Sequence, residues 1–224
     1  MSTQTPRGSL DAVVFDLDGT LADTLEDIAD AMNRVLRRRG LPAHDYAAYR
    51  RMIGKGLRNL AAEAMPPARR TDEAVGATLA DMLADYGGNL LVKTRLHEGV
   101  AELLQALRAA QVPMAVCSNK ADALTRRIVR GLVGPGTFAA VVGARPGLPL
   151  KPDPASTLLA AEGLAAPPER IAYVGDSDVD MLTAANAGMV PVGVSWGFRT
   201  RRELVEAGAR MVLDRPRELL DLFA

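Results

Sequence analysis

Short, nearly unbroken apolar runs recur along the chain and predict buried strands. They occupy residues 12–15, 112–117, 138–142, 171–174, 190–194 and 211–213. Runs of this length without polar alternation are typical of parallel strands that helices cover on both faces. The later runs are separated by amphipathic stretches at residues 99–110, 122–131, 153–163, 178–187 and 201–207. The alternation predicts an α/β fold with a doubly wound parallel sheet. We expect Gly131, Gly163 and Gly188 to end three of the helices.

Residues 21–91 interrupt this alternation, because helical patterns follow one another there and no strand is expected. The patterns cover residues 25–39, 47–52, 57–65 and 71–86. In the first of them, apolar residues recur at helical spacing from Leu25 to Leu36 and form one apolar face. We therefore expect two domains: an α/β core formed by residues 1–20 and 92–224, and an inserted α-helical cap formed by residues 21–91.

Polar and charged side chains follow four of the predicted strands, and in the case of Lys151 a Gly/Pro-rich loop comes between. In chain order they are Asp16 with Asp18, then Ser118, then Lys151, and finally Asp176 with Asp178 and Asp180. Ligands of open parallel sheets bind beyond the carboxyl ends of the strands, so these groups are expected to converge. Carboxylate oxygens suit Mg²⁺, whereas a hydroxyl at a helix start and a lysine suit phosphate.

Composition narrows the classes of function. The 27 basic and 27 acidic side chains leave no formal net charge, so neither a nucleic-acid partner nor a membrane contact is expected. The single cysteine, Cys117, excludes an intrachain disulfide, and two histidines leave little for a histidine-based metal site. The first ten residues lack the apolar stretch of a signal peptide, and no run is long enough for a membrane span. We expect a cytoplasmic protein with oxygen ligands for a hard metal.

These motifs resemble those of the haloacid dehalogenase-like (HAD) superfamily of phosphohydrolases, over nearly the whole chain. The matching segments are Asp16–Thr20, Ser118, Lys151 and Gly175–Asp180. The helical interval is similar to the C1 cap of that family. Two further segments, Cys117–Lys120 and Gly193–Phe198, look most like those of bacterial phosphoglycolate phosphatases, whereas the loop at 143–150 departs from their pattern.

The resemblance implies a Mg²⁺-dependent phosphatase. Asp16 would be the nucleophile that forms an aspartyl-phosphate, and Asp18 would be the general acid and then the general base. The phosphoryl oxygens would be held by Ser118, the backbone at Asn119, and Lys151. The Mg²⁺ ligands would be Asp16, the backbone carbonyl of Asp18, Asp176 and, through water or in support, Asp180.

The substrate is expected to be a small phosphorylated metabolite, with 2-phosphoglycolate first. Dehalogenases and phosphonatases of the superfamily lack an acid at the position of Asp18, so the resemblance favours phosphate esters. Lys55 or Arg58 of the cap would bind the substrate carboxylate. The alternatives are a phosphatase of sugar phosphates, nucleotides or pyrophosphate, a phosphomutase of the β-phosphoglucomutase type, and a metabolite-binding protein without turnover. Both a monomer and a homodimer are open.

Overall fold

The computed structural model describes residues 10–223. In chain order its strands are β1 (Ala12–Phe15), β2 (Ala22–Asp23), β3 (Arg95–Leu96), β4 (Met114–Ala121), β5 (Ala140–Ala144), β6 (Ile171–Gly175), β7 (Val190–Val194) and β8 (Met211–Leu213). The α-helices are α1 (Leu25–Arg38), α2 (Tyr46–Met52), α3 (Leu57–Ala64), α4 (Asp72–Gly88), α5 (Val100–Ala109), α6 (Asp122–Val133), α7 (Ala155–Ala161), α8 (Asp178–Asn186) and α9 (Arg201–Glu206).

Six strands form one sheet in the order β5-β4-β1-β6-β7-β8, and all neighbouring pairs are parallel. The predicted parallel α/β sheet is confirmed. Successive residues of β1 pack into different cores: Val13 and Phe15 join the larger cluster, whereas Val14 joins a second one that includes Ala160 of α7 and Ala184 of α8. Burial on both faces explains why the strands read as unbroken apolar runs.

The central strand β1 is the topological switch point of the sheet. The chain passes from β1 to β4 and β5 on one side, then returns to β6, β7 and β8 on the other. Loops that leave β1 and its two neighbours in opposite directions open a crevice at their carboxyl ends. The residues after β1 and β6, together with the last residues of β4, therefore meet at one edge.

Helices α1 to α4 lie between β2 and β3 and form the helical insert, residues 25–88. The two short strands pair antiparallel where the chain enters and leaves the insert, with Ala22 opposite Leu96 and Asp23 opposite Arg95. This ribbon corrects the expectation that residues 21–91 contain no strand. Two residues are too few to produce a recognisable hydrophobic pattern. The division into core and cap domains at residues 21 and 91 stays a prediction.

Gly188 follows the end of α8 as predicted, but the other two glycines do not end an α-helix. Helix α7 ends at Ala161, and Gly163 lies within the 3₁₀ turn Glu162–Leu164. Helix α6 continues through Gly131 to Val133, and its C-cap is Gly134, so the expected stop at Gly131 is wrong. A Cβ at position 131 would meet only the terminal methyl of the exposed Leu91 side chain. Within residues 10–223, no helix combines the length and the apolar character that a bilayer span requires.

The segment that leaves the insert is fastened to α1 by Asp27. This buried carboxylate accepts hydrogen bonds from the backbone N–H groups of Lys93, at 2.9 Å, and Thr94, at 2.8 Å. The contact closes the insert onto its own first helix.

We expect Asp27→Ala to lower the free energy of unfolding by about 2–3 kcal/mol, because two backbone donors lose a charged acceptor. Asp30 is the matched control, since its carboxylate contacts the Lys93 side chain at the surface. Asp30→Ala should cost less than about 1 kcal/mol in the same urea titration. Equal losses in the two variants would contradict the role of Asp27.

Candidate active site

A small cavity of about 30 Å³ lies at the carboxyl end of β1, within about 430 Å³ of space between atoms that includes its open mouth. Most of the site residues predicted from the sequence line it. They are Asp16, Asp18, Ser118, Asn119, Lys151 and Asp180. Ser177 and Lys120 complete its polar part, and the helical insert supplies its apolar wall.

Three buried carboxylates form a cluster at the base of the cavity. Asp16, Asp176 and Asp180 each offer an oxygen within 4.8 Å of the others. Asp16 extends β1, where its N–H donates to the carbonyl of Val174 at 2.9 Å. The carboxylates that follow β1 and those that follow β6 are therefore brought together, as the sequence predicted.

Lys151 lies between two of these carboxylates. Its Nζ donates to Asp16 Oδ1 at 2.8 Å, to Asp180 Oδ1 at 2.7 Å and to the carbonyl of Cys117 at 3.3 Å. The side chain is 3% exposed, so this ion pair operates away from bulk water. Burial alone would lower the pKa of Lys151, but Asp16 and Asp180 outweigh burial and hold it above its usual range. The ammonium is therefore charged.

Asp176 is held by the loop after β7. The backbone N–H of Phe198 donates to Asp176 Oδ2 at 2.6 Å. Gly19, at φ +84°, and Gly197 pack so closely that a Cβ at either position would overlap the Asp176 side chain. Glycine is required at both positions because the two loops approach the carboxylate with their backbones.

Asp180 belongs to the first turn of α8 and has two roles. Its Oδ2 accepts hydrogen bonds from the N–H of Ser177 at 3.0 Å and from Ser177 Oγ at 2.6 Å. Ser177 is the N-cap of the helix, so the pair forms a capping box. The other oxygen of Asp180 faces Lys151. The neighbouring Asp178 is half-buried, lies 3.9 Å from the guanidinium of Arg199 and is outside the acidic cluster.

Asp18 contacts a lysine that the sequence analysis did not single out. Asp18 Oδ1 pairs with Lys120 Nζ and accepts a hydrogen bond from Thr24 Oγ1 at 2.6 Å. Lys120 Nζ also donates to Tyr86 Oη of α4 at 3.0 Å. One signal was available in the sequence: Lys120 follows Ser118 and Asn119 directly, at the end of a strand predicted to be buried.

Ser118 and Asn119 lie where the pairing of β4 with β5 becomes irregular, between Cys117 and Ala121. Irregular strand ends of this kind redirect side chains toward active sites. The Asn119 side chain accepts from the N–H of Lys151 at 2.8 Å and donates to the carbonyls of Lys151 and Gly54, both at 3.1 Å. Asn119 therefore joins β4, the Lys151 loop and the helical insert.

The charges of the site do not balance within the protein. Asp16, Asp18, Asp176 and Asp180 face Lys120 and Lys151, which are the only buried lysine or arginine residues among residues 10–223. Two formal negative charges remain. Burial raises the pKa of Asp16 to about 7, although Lys151 opposes part of the rise. Burial, Asp180 and Asp16 together raise the pKa of Asp176 well above its usual range.

Lys55 and Arg58, which the sequence analysis assigned to the substrate carboxylate, lie elsewhere. Both are exposed and line a separate cleft beside Asp72 and Leu150. The Arg58 guanidinium pairs with Asp72. Neither side chain lines the cavity of Asp16 and Asp18, so their assignment stays an untested prediction that this conformation does not favour.

The donor set fits a hard divalent cation. Three carboxylate oxygens within 4.8 Å of one another repel unless a cation or a proton lies among them. The two excess negative charges match one divalent ion, and carboxylate oxygens are the ligands that hard cations prefer.

Comparison with known proteins agrees with this arrangement. The family model of the haloacid dehalogenase-like hydrolases matches residues 13–194. The chain is 35% identical over 209 residues to a phosphoglycolate phosphatase of Rhodospirillum rubrum, covering 91% of this chain and 86% of that protein. It is 34% identical over 188 residues to one of Xanthomonas campestris pv. campestris, covering 84% of each. A crystal structure from Haemophilus somnus, described as a predicted phosphoglycolate phosphatase, superimposes with a TM-score of 0.86 at 27% identity, covering 95% of this chain and 97% of that one. Because the matched residues include the whole acidic cluster and Lys151, the chain belongs to the haloacid dehalogenase-like hydrolases.

Proposed function

We propose that this protein is a Mg²⁺-dependent phosphatase of small phosphate monoesters, with 2-phosphoglycolate as its substrate. One observation carries the proposal: Asp16 and Asp18 line one cavity together with Ser118 and Lys151. This combination offers a nucleophile, a proton donor and two groups for phosphoryl oxygens. The names of the curated relatives support the choice of substrate.

Asp16 carries out the first chemical step. Its carboxylate attacks phosphorus, and the bond from phosphorus to the ester oxygen breaks. The product is an aspartyl-phosphate on Asp16. The step requires the ionised carboxylate, and Lys151 at 2.8 Å favours that form.

Asp18 transfers the protons of both steps. In its acid form it donates a proton to the departing ester oxygen, and in its ionised form it then takes one from the water that attacks the aspartyl-phosphate. The hydrogen bond from Thr24 and the ion pair with Lys120 fix the orientation of the side chain. The release of phosphate restores Asp16.

The other polar groups of the cavity stabilise the negative charge that develops on the phosphoryl oxygens. Ser118 Oγ, the backbone N–H of Asn119 and Lys151 Nζ are the donors that we assign to them. Asp16, the backbone carbonyl of Asp18, Asp176 and Asp180 would hold Mg²⁺. When bound, Mg²⁺ supplies positive charge that neutralises the carboxylates and the phosphoryl group.

The helical insert completes the proposal as a cap over the site. Ile28, Ile53, Leu57 and Leu60 of this insert form the apolar wall of the cavity, and such a wall keeps water from the reacting groups. We retain the cap boundaries at residues 21 and 91, the cytoplasmic location and the monomer or homodimer as parts of the proposal.

Asp16→Asn should lower kcat for phosphate release by more than about a thousandfold, because the amide oxygen is a poor nucleophile. Asp18→Asn should lower it by about 10²–10⁴-fold, the usual contribution of a general acid. Asp178→Asn is the control from the same acidic segment and should retain activity within about twofold of the unsubstituted protein. Full activity of Asp16→Asn in matched, folded preparations would contradict the mechanism.

A panel of phosphate esters tests the substrate. We expect kcat/KM to be higher for 2-phosphoglycolate than for sugar phosphates, nucleoside monophosphates or pyrophosphate. Activity should be lost in chelator and restored by Mg²⁺. Equal values across the panel would remove the phosphoglycolate assignment alone. Transfer of the phosphoryl group to a sugar rather than to water would identify a phosphomutase.

The Asp176→Asn variant tests whether the acidic cluster lowers the stability of the metal-free protein and binds the metal. The folded-state pKa of Asp176 is raised above the ordinary value, so the folded chain keeps a proton that the unfolded chain releases. The metal-free protein therefore loses stability as pH rises above that ordinary value. In chelator, the variant should melt at least about 3 °C above the unsubstituted protein at pH 8, with a smaller difference at pH 5. Mg²⁺ should raise the melting temperature of the unsubstituted protein and not that of the variant. Equal destabilisation of the variant at both pH values would contradict this account.

A further inference from the structure

The cavity contains two ammonium groups, and they differ in how many hydrogen bonds they already make. Lys151 uses all three N–H groups on Asp16, Asp180 and the carbonyl of Cys117. A phosphoryl oxygen bound by Lys151 would replace one of these three acceptors, so Lys151 has no N–H left for a second anion. Any additional anion on a substrate must find another donor.

Lys120 still has a free donor. Its Nζ contacts Asp18 Oδ1 and, at 3.0 Å, Tyr86 Oη; among the described residues these are its only hydrogen-bond acceptors. An ammonium group has three N–H groups, so one of them has no acceptor within this part of the protein. The side chain is 1% exposed and lines the cavity, so the free donor is not directed to bulk solvent.

The Lys120 ammonium is charged despite its burial. Burial alone would lower the pKa of Lys120, but Asp18 and Tyr86 outweigh it and keep it above its usual range. The Tyr86 ring lies 5.0 Å from Nζ and adds a favourable contact with the cation. The rest of the wall on the side of the insert is aliphatic. Lys120 is therefore the cation that remains available to an organic anion.

We propose that Lys120 is the specificity-determining residue of the site and binds a carboxylate on the organic part of the phosphate ester. The inference rests on the phosphatase function proposed above and deepens it. Asp18, which protonates the ester oxygen in that function, is in direct contact with Lys120. In 2-phosphoglycolate the carboxyl carbon is two covalent bonds from that oxygen. The short tail therefore brings its carboxylate beside Lys120 and leaves the contact with Asp18 in place.

The test compares three esters that share the reacting group: 2-phosphoglycolate, its uncharged amide, and ethyl phosphate. With the unsubstituted protein we expect kcat/KM for 2-phosphoglycolate to exceed that for the amide at least about tenfold. Lys120→Gln keeps N–H donors for Asp18 and Tyr86 but removes the charge. It should lower the ratio of kcat/KM for 2-phosphoglycolate to kcat/KM for the amide by about 10–100-fold. The change should come mainly through KM, because a charged hydrogen bond to the tail is lost. Lys120→Arg should recover part of this ratio.

Lys93→Met is the matched control, since Lys93 is a surface lysine paired with Glu26 and Asp30, and it should leave the ratio unchanged. Equal losses for all three esters in Lys120→Gln would overturn the proposal and assign Lys120 only to the positioning of Asp18. A ratio that falls in Lys55→Met or Arg58→Met instead would also overturn it. Should the Lys120 variants not fold, a ratio near one in the unsubstituted protein is sufficient to reject the proposal.

The failure of the proposed function has a different signature. No phosphate released from any of the three esters with Mg²⁺ present would reject the phosphatase and this inference together. Turnover of ethyl phosphate with no preference for the charged tail would reject the inference alone.

Discussion

The structure depends on keeping four carboxylates close together where little water can solvate them. Repulsion among Asp16, Asp176 and Asp180 opposes folding unless positive charge compensates it. Lys151 supplies part of that charge and, by contacting Asp16 and Asp180, ties β1 to the first turn of α8. Burial first, and then repulsion from the neighbouring carboxylates, raises the pKa of Asp16 and that of Asp176, and these shifts record the cost that Lys151 leaves uncompensated. A divalent cation at this cluster would remove this cost, so affinity for metal and stability of the sheet edge would have the same physical origin.

Hydrogen bonds to backbone carbonyls on both sides of the acidic cluster connect the helical insert to the sheet. The loop whose Phe198 N–H holds Asp176 is bound to α2 in both directions: Arg50 donates to the carbonyl of Gly197 at 2.6 Å, and Arg199 donates to the carbonyl of Arg50 at 2.6 Å. On the other side of the site, Asn119 donates to the carbonyl of Gly54. A movement of the insert would therefore change the hydrogen bonds that position both Asp176 and Asn119.

Much of the sheet and of its polar edge follows from the sequence, because the constraints there are local. A strand covered on both faces must be apolar throughout, which is why the runs at 12–15, 190–194 and 211–213 coincide with β1, β7 and β8. Asp16 and Lys151 could be assigned to one edge because parallel strands all end on the same side.

Contacts between distant side chains could not be predicted in the same way. The pairing of Lys120 with Asp18 joins residues 102 positions apart. It also depends on the irregular end of β4, which no hydrophobic pattern records. Lys55 and Arg58 were assigned to the substrate carboxylate from their place in the segment Gly54–Arg58 of the insert, and the sequence carries no information on which cleft a long side chain enters. The role of Asn119 is a similar case, since its amide holds three segments that only the folded chain brings together.

The residues proposed to bind the substrate carboxylate, Lys120 in the cavity and Arg58 at the surface, also differ in the binding free energy that each contact would provide. Arg58 is about half exposed and already paired with Asp72, so a substrate carboxylate would exchange one weak, well-solvated ion pair for another. Lys120 is already desolvated by the fold, and Asp18 compensates its charge. The cost of removing this ammonium from water has therefore been met before a substrate arrives. A carboxylate that takes its free N–H gains the stronger attraction of a site with little water, which explains how one buried lysine can distinguish a charged tail from a neutral one.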